Sequence, residues 1–302
     1  MFVAVAGLVA AGEPALAATA PANSFTQTNL VASNSSFHAK LVDQNLTNAW
    51  GLATKGSSAM WVSDNNSGFA TVYRGGVNGS AVRLLFTVAL PGGNPTGQVG
   101  NTDTKAFPVG GPAGSPALFI VDSDSIGSSQ SPGEIAAWNG GAQFVVEDSP
   151  TGGPGGKTPK GAVFKGLALS TTPAAGPELF AADVANARID VFSKDFAPVA
   201  TPTEFNDPKV PAGYAPFNVQ QLGSDLYVSY GKQNKAHTDV VPGAGRGYVD
   251  VYSVNGKLIR HLVSGGTGSP LNEPWGLAIA PTGFGPFAGD LLVGNLGNGW
   301  IN

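Results

Sequence analysis

His237 and Asp239 stand two residues apart in the segment GKQNKAHTDVVPGAGRG, Gly231 to Gly247. An imidazole oriented by a carboxylate is the arrangement of a general base, so this pair is a candidate catalytic unit. The same segment carries Lys232, Lys235 and Arg246, in a chain where only 12% of residues are charged. Those cations suit a polar ligand, and long loops on a rigid scaffold are where binding groups concentrate. The competing reading is a solvated loop that covers its surroundings and binds nothing. The chain has three histidines. His38 and His261 lie in segments of a different kind, so a three-histidine metal centre is not expected.

Asn48, Asn94, Asn218 and Asn272 each stand at or near the start of an apolar segment. Amide and carboxylate oxygens converging from several elements are what calcium takes. These four, with Glu273 or Asp183 supplying charge, form a candidate calcium ring. Asparagine before a strand is also a common turn residue that bonds its own backbone, and for any one of the four that reading stands beside the metal one. Trp50 and Trp275 occupy matching places in two copies of one motif. They are expected either in the core, with Trp61 and Trp138, or at a rim where a sugar or similar ligand stacks.

Such groups converge only if repeated elements bring them together, and repeats are present. NAWGLATKG (48–56) recurs as NEPWGLAIAP (272–281), with weaker copies at 94–101, 163–171 and 215–223. Each copy is followed by an apolar run: AMWVSDN, ALFIVDSD, ELFAADV, DLYVSYG and DLLVGNLG. An alternating third run comes next (FATVYRG, GEIAAWNG, ARIDVFSK, GYVDVYSVNG), and in several units a fourth. Short runs rich in Val, Tyr, Phe and Trp, bounded by Gly, Asn and Pro, read as antiparallel strands. Four strands per unit, recurring every roughly 45–70 residues, predict an all-β propeller. Its ring is expected to have six four-stranded blades, with residues 27–43 contributing to closure and the last blade incomplete at GWIN. The loop 231–247 joins a second strand to a third and should therefore arch over the channel mouth.

Composition narrows the function. The 302 residues include 43 glycines and no cysteine, and the formal net charge is −4. Disulfides, zinc–thiolate sites and cysteine nucleophiles are excluded. No basic patch of nucleic-acid size is visible, so nucleic acid is not an expected partner. The opening residues MFVAVAGLVAAGEPALA read as a signal peptide over 1–17, N-terminally shortened because no basic residue precedes Phe2. Residues 18–26 then read as a disordered linker and 27–302 as a single propeller domain, secreted or periplasmic, monomeric and without a membrane span. TGGPGGKT (151–158) and GAGRGY (243–248) fail as phosphate or dinucleotide loops, because strands rather than helices follow them.

The segments NAWGLA, NPTGQV, 215–266 and 271–302 resemble an uncharacterised family of secreted bacterial propellers related to NHL-repeat proteins. The resemblance implies export and six blades, and no established activity. NHL-like propellers include binding modules and calcium-dependent lactonases. Two functions follow as expectations: a scaffold that binds a small molecule, glycan or protein at the face carrying loop 231–247, or a calcium-dependent hydrolase acting at the channel mouth.

Overall fold

The computed structural model describes residues 25–124, 133–148, 161–172, 176–201 and 203–302. The expected signal peptide, most of the linker and the 151–158 motif lie outside them. Strand is the dominant regular structure. A short parallel pair comes first, β1 (Val31–Ala32) with β2 (Leu41–Val42). Four antiparallel meanders follow. The first is β3 (Ala49–Ala53), β4 (Met60–Asp64), β5 (Phe69–Arg74) and β6 (Arg83–Ala89). The second is β7 (Pro95–Gly100), β8 (Phe119–Ser123), β9 (Ile135–Trp138) and β10 (Val145–Asp148). The third is β11 (Phe164–Thr172), β12 (Gly176–Asp183), β13 (Arg188–Ser193) and β14 (Pro198–Val199). The fourth is β15 (Tyr214–Leu222), β16 (Asp225–Lys232), β17 (Gly247–Ser253) and β18 (Leu258–Val263). Last come β19 (Pro274–Ile279) and β20 (Leu291–Asn295), with a single bridge from Gly294 to Ile301 where a third strand was expected. Among the described residues there is no α-helix, and no helix long and apolar enough to cross a membrane.

The sheets are those of a propeller, but among the described residues the count differs from six full blades: four sheets have four strands and two have two strands. Residues 27–43 do not form a blade of their own. They bridge the ends of the chain. Phe25 stacks on Phe284 of the fifth unit at 4.9 Å, and the Tyr73 hydroxyl of the first unit donates to Asp43 at 2.7 Å.

Strand alternation builds the core between blades. Phe119 and Val121 pack toward Trp61 and Val72 of the first blade, while Ile120 between them packs toward Phe164 and Leu179 of the third. Leu179 and Ala181 in turn face the second blade, and Phe180 and Ala182 face Leu226, Val228 and Tyr252 of the fourth. A period of two therefore sends successive side chains into two different interfaces. Trp61 lies 4.1 Å from Phe119, stacked, and 4.8 Å from Trp138, so Trp61 is a core residue and Trp138 packs against that core half-buried.

The first strands approach one another closely, and glycine permits it. A β-carbon on Gly97 would stand 2.4 Å from the Leu167 amide nitrogen, and one on Gly166 would stand 2.1 Å from Asn218 Oδ1. Around the equivalent position (Gly51, Gly97, Gly166, Asn218 and Gly276) each first strand breaks register: Ala49/Leu52, Pro95/Gln98, Phe164/Leu167, Pro216/Asn218 and Pro274/Gly276. A bulge re-aims the side chain it carries. The bulged position holds Trp50, Thr96, Lys165, Phe217 and Trp275, one from each unit.

Candidate functional site at the channel mouth

Four of the five bulged residues converge, while the Thr96 hydroxyl donates to Asp122 Oδ1 and to the Phe164 carbonyl, both at 2.9 Å. The Trp50 ring meets Trp275 edge-on at 5.5 Å and Phe217 at 5.8 Å, which joins the first, fourth and fifth units at one point. Trp275 Nε1 donates to the backbone oxygen of Lys165 at 3.0 Å. Lys165 is the odd member of the set, a cation where the other units carry aromatics or threonine. It is 2% exposed. Its ammonium lies 3.0 Å from Asp124 Oδ2, 3.3 Å from Asp239 Oδ1 and 5.0 Å from the centre of the Trp50 ring. A buried lysine requires such compensation, because an unpaired ammonium in the interior is very costly.

Asp124 follows the end of β8. Its Oδ2 accepts from Lys165 and, at 3.4 Å, from Asn65 Nδ2, while Oδ1 is buried with no hydrogen-bond donor. Burial pushes the Asp124 carboxyl up from its ordinary range, and the Lys165 charge brings it partly back. Glu273 is also raised, first by burial and then by the charge of Asp239, with Lys165 opposing. Three carboxylates thus act on one ammonium.

Loop 231–247 reaches over this cluster, as its position between β16 and β17 predicted. Its anchors are specific. Gln233 Nε2 donates to Val184 O at 2.6 Å, Asn234 N to Asp239 O at 2.8 Å, and Gly243 N to Asn272 Oδ1 at 2.7 Å. Asp239 is the residue that the loop delivers, half-exposed above Lys165. His237 is exposed in a left-handed conformation and contacts Gln233 at 3.2 Å. Asp239 instead faces Lys165, so no described contact joins the expected His237–Asp239 pair. Lys232 lies over the Tyr214 ring at 4.9 Å, Arg246 bonds the Pro242 carbonyl, and Lys235 is exposed. The Arg246 carbonyl accepts from Glu273 N at 3.4 Å, but no described side-chain contact joins any of the three to the Lys165 cluster.

The four asparagines do not occupy equivalent places. When the units are superposed on the bulge glycines, Asn48 and Asn94 match Glu273, and all three have φ near 50° (52°, 49° and 51°). Asn272 stands one residue earlier. Asn218 takes the glycine position inside β15, where its Nδ2 donates to the Trp275 carbonyl at 2.6 Å. Asn48 bonds Asn65 and Asn66, both at 3.2 Å. Asp183 accepts from Val163, Ala185 and both nitrogens of Asn186, which makes it the organiser of a turn. Asn48 and Glu273 therefore belong to the mouth, and Asn218 and Asn272 brace its walls. Glutamate in the left-handed region is uncommon. Glu273 is held there by Leu296 N donating to its carbonyl at 2.9 Å.

Lys165 and Asp124 were missed in the sequence. The available signal was Lys165 in VFKGLALST: it is the one charge at the bulged position of the five units, and alignment on the following glycine exposes it.

No family model matches this chain. It is 28% identical over 287 residues to an uncharacterized protein of Acanthamoeba polyphaga mimivirus, covering 91% of this chain and 65% of that protein. A second uncharacterized mimivirus protein is 34% identical over 144 residues, 46% of this chain and 36% of that one. The chain therefore spans less than two thirds of these relatives. Among solved structures, the GH93 α-L-arabinofuranosidase of Fusarium graminearum aligns with a TM-score of 0.49 at 12% identity, over 84% of this chain and 77% of that one. Kuenenia stuttgartiensis hydrazine synthase aligns with a TM-score of 0.45 at 15% identity, over 85% and 58%. The expected tie to secreted bacterial NHL-related propellers rests on the sequence motifs alone.

Proposed function

We propose that this chain is a propeller scaffold that binds a small hydroxyl-rich ligand, such as a glycan, at the channel mouth beneath loop 231–247. The observation that carries this reading is the Lys165 cluster. An ion-paired lysine fixes Asp124 and Asp239 in place, Asp124 keeps a buried acceptor with no donor, and Trp50 and Trp275 supply apolar edges beside it. Carboxylates and amides that accept and donate to hydroxyls, next to indole rings, suit a polyol better than an anion. In this reading the protein is exported, its ring is of the NHL-like six-bladed type closed through residues 25–43, and it acts as a monomer.

The second reading is a calcium-dependent lactonase or related hydrolase at the same mouth. Three carboxylates, Asp124, Asp239 and Glu273, give it oxygen ligands. The Lys165 ammonium stands among them and competes with any cation, which is why binding is favoured.

Titration with mono- and oligosaccharides, followed by the fluorescence of Trp50 and Trp275, tests the proposal. Asp239→Ala and Glu273→Gln should each weaken binding at least about tenfold, the effect of a lost charged hydrogen bond of about 1.5–3 kcal/mol, while the fold is retained. If no saccharide perturbs the fluorescence, or the variants bind as the parent does, the glycan reading fails. Retained calcium, with a melting temperature that falls on chelation and is insensitive to saccharide, would transfer support to the hydrolase.

A further inference from the structure

A second polar cluster lies away from the channel, on the outer half of the fourth blade. Asp207 comes from the segment that precedes β15, Asp250 from β17 and His261 from β18. The β17–β18 pairing breaks register between Val249 and Asp250, and Asp250 pairs with His261 across the ladder. Asp250 is fully buried, Asp207 is 6% exposed and the His261 side chain 10%.

The three side chains share one feature. Each has one polar atom tied back to the protein and one aimed at the other two. Asp207 Oδ1 accepts from Lys209 N at 2.8 Å, leaving Oδ2 inward. Asp250 Oδ2 accepts from the Tyr252 hydroxyl at 3.3 Å, and that hydroxyl is 2.7 Å from Tyr230 Oη, leaving Asp250 Oδ1 inward. His261 Nε2 lies 2.8 Å from Ser264 Oγ, leaving Nδ1 inward. The inward atoms lie within 4.8 Å of one another. Nδ1 is 2.7 Å from Asp207 Oδ2 and 2.8 Å from Asp250 Oδ1.

One ring nitrogen carries at most one hydrogen. It can serve Asp207 or Asp250 but not both in good geometry, and Asp250 Oδ1 is buried without a hydrogen-bond donor. Two buried carboxylates against one imidazole also leave negative charge in a place that water does not reach. A divalent cation resolves both defects. It takes both carboxylate oxygens and Nδ1, and it balances the charge.

We propose that Asp207, Asp250 and His261 form a divalent transition-metal site of the zinc type. An imidazole with two carboxylates suits zinc, and calcium takes oxygen ligands. The outer contacts are those a metal site needs. Ser264 accepts from Nε2–H and so fixes the tautomer that frees Nδ1, while Tyr252 and the Lys209 amide orient the two carboxylates. Zinc–ligand bonds of about 2.0–2.1 Å require an edge of roughly 3.3 Å in a tetrahedron. The carboxylates therefore open by about half an ångström on loading.

The test is calorimetric titration of the full chain, freed of metal by chelator, with zinc chloride, and with calcium chloride as the contrast. One equivalent of zinc should bind and calcium should not compete for it. Asp250→Asn and His261→Gln should weaken zinc more than about 100-fold and Ser264→Ala about 10- to 100-fold, the range for outer-shell partners. His237→Ala should leave binding unchanged. X-ray absorption of the zinc-loaded parent should show one imidazole with oxygen ligands, a readout that stands even if a variant fails to fold. Absence of zinc binding overturns the proposal, as does zinc that survives Asp250→Asn and His261→Gln or depends on His237. Those outcomes leave the three residues as a proton-sharing brace of the blade.

Discussion

Replacing Lys165 with methionine isolates the electrostatics of the channel mouth. Methionine matches the stem in length and volume, so the packing loss is small and the charge is what disappears. Three interactions go with it, and they differ in size. The bridge to Asp239 is half-exposed and contributes about 0–1 kcal/mol. The ammonium over Trp50 contributes about 1–2 kcal/mol in a desolvated place. The pair with Asp124 dominates, because both members are largely buried. Removing one partner of a buried pair leaves the other uncompensated, at about 3–5 kcal/mol. Lys165→Met should therefore lose about 4–8 kcal/mol at pH 8. The loss depends on pH, with a sign fixed by linkage. Burial already raises the Asp124 carboxyl in the folded chain, and loss of Lys165 raises it further. The folded variant then holds a proton that the unfolded chain releases, so its stability falls as pH rises from the unfolded value, about 4, through the folded one. Near pH 4.5 the Asp124 penalty should be largely gone, which leaves the lost Trp50 and Asp239 contacts, about 1–3 kcal/mol together. Urea denaturation between pH 4.5 and 8 measures this, and a cycle with Asp124→Asn isolates the pair. The double variant should recover about 2–3 kcal/mol relative to the sum of the single losses. A penalty that does not change with pH, or additivity of the two substitutions, would refute the assignment of the cost to Asp124.

Two further outcomes follow from the fold. Asp64 is fully buried at the end of β4, and burial, with the charge of Asp43, pushes its carboxyl up to about 7 against the opposing Thr71 hydroxyl. A raised carboxyl favours the fold below the folded value and disfavours it above, so the parent should lose stability between about pH 4 and 7. Asp64→Asn should flatten that slope in denaturant midpoints measured across the range, and a slope parallel to the parent's would place the titrating group elsewhere. Gly97→Ala places a β-carbon 2.4 Å from the Leu167 amide and should cost about 1–3 kcal/mol of overpacking. Gly283→Ala, with nothing within 4 Å, is the matched control and should be nearly neutral in thermal unfolding.

The sequence by itself determined the strands. The apolar runs around Trp61, Ile120, Phe180 and Val228 fall in β4, β8, β12 and β16, because a strand buried on both faces reads as a short apolar run bounded by turn residues, and each blade repeats it. It also determined that loop 231–247 spans a second-to-third strand connection and so lies at the mouth. The blade count was less legible: residues 27–43 were expected as strands of a closing blade, yet their place is set by contacts at both ends, Phe25 to Phe284 and Asp43 to Tyr73. The site was legible in part. Trp50, Trp275, Asp239 and Glu273 reach the mouth, while His237 does not face Asp239, and Asn218 and Asn272 bond backbone instead.

Only the tertiary structure decided that Lys165 meets Asp124 and Asp239, residues 41 and 74 positions away in the chain. The physical reason lies in the bulge before each inner-strand glycine. Alternation states which side of a strand a residue takes, but a bulge turns that residue off the ladder, and its new direction depends on how closely the neighbouring blade approaches. That approach is set at Gly97 by the Gly166–Leu167 backbone and at Gly166 by Asn218, both from other units. The partners of a charge at the bulge are therefore a property of the assembled ring, not of any one repeat.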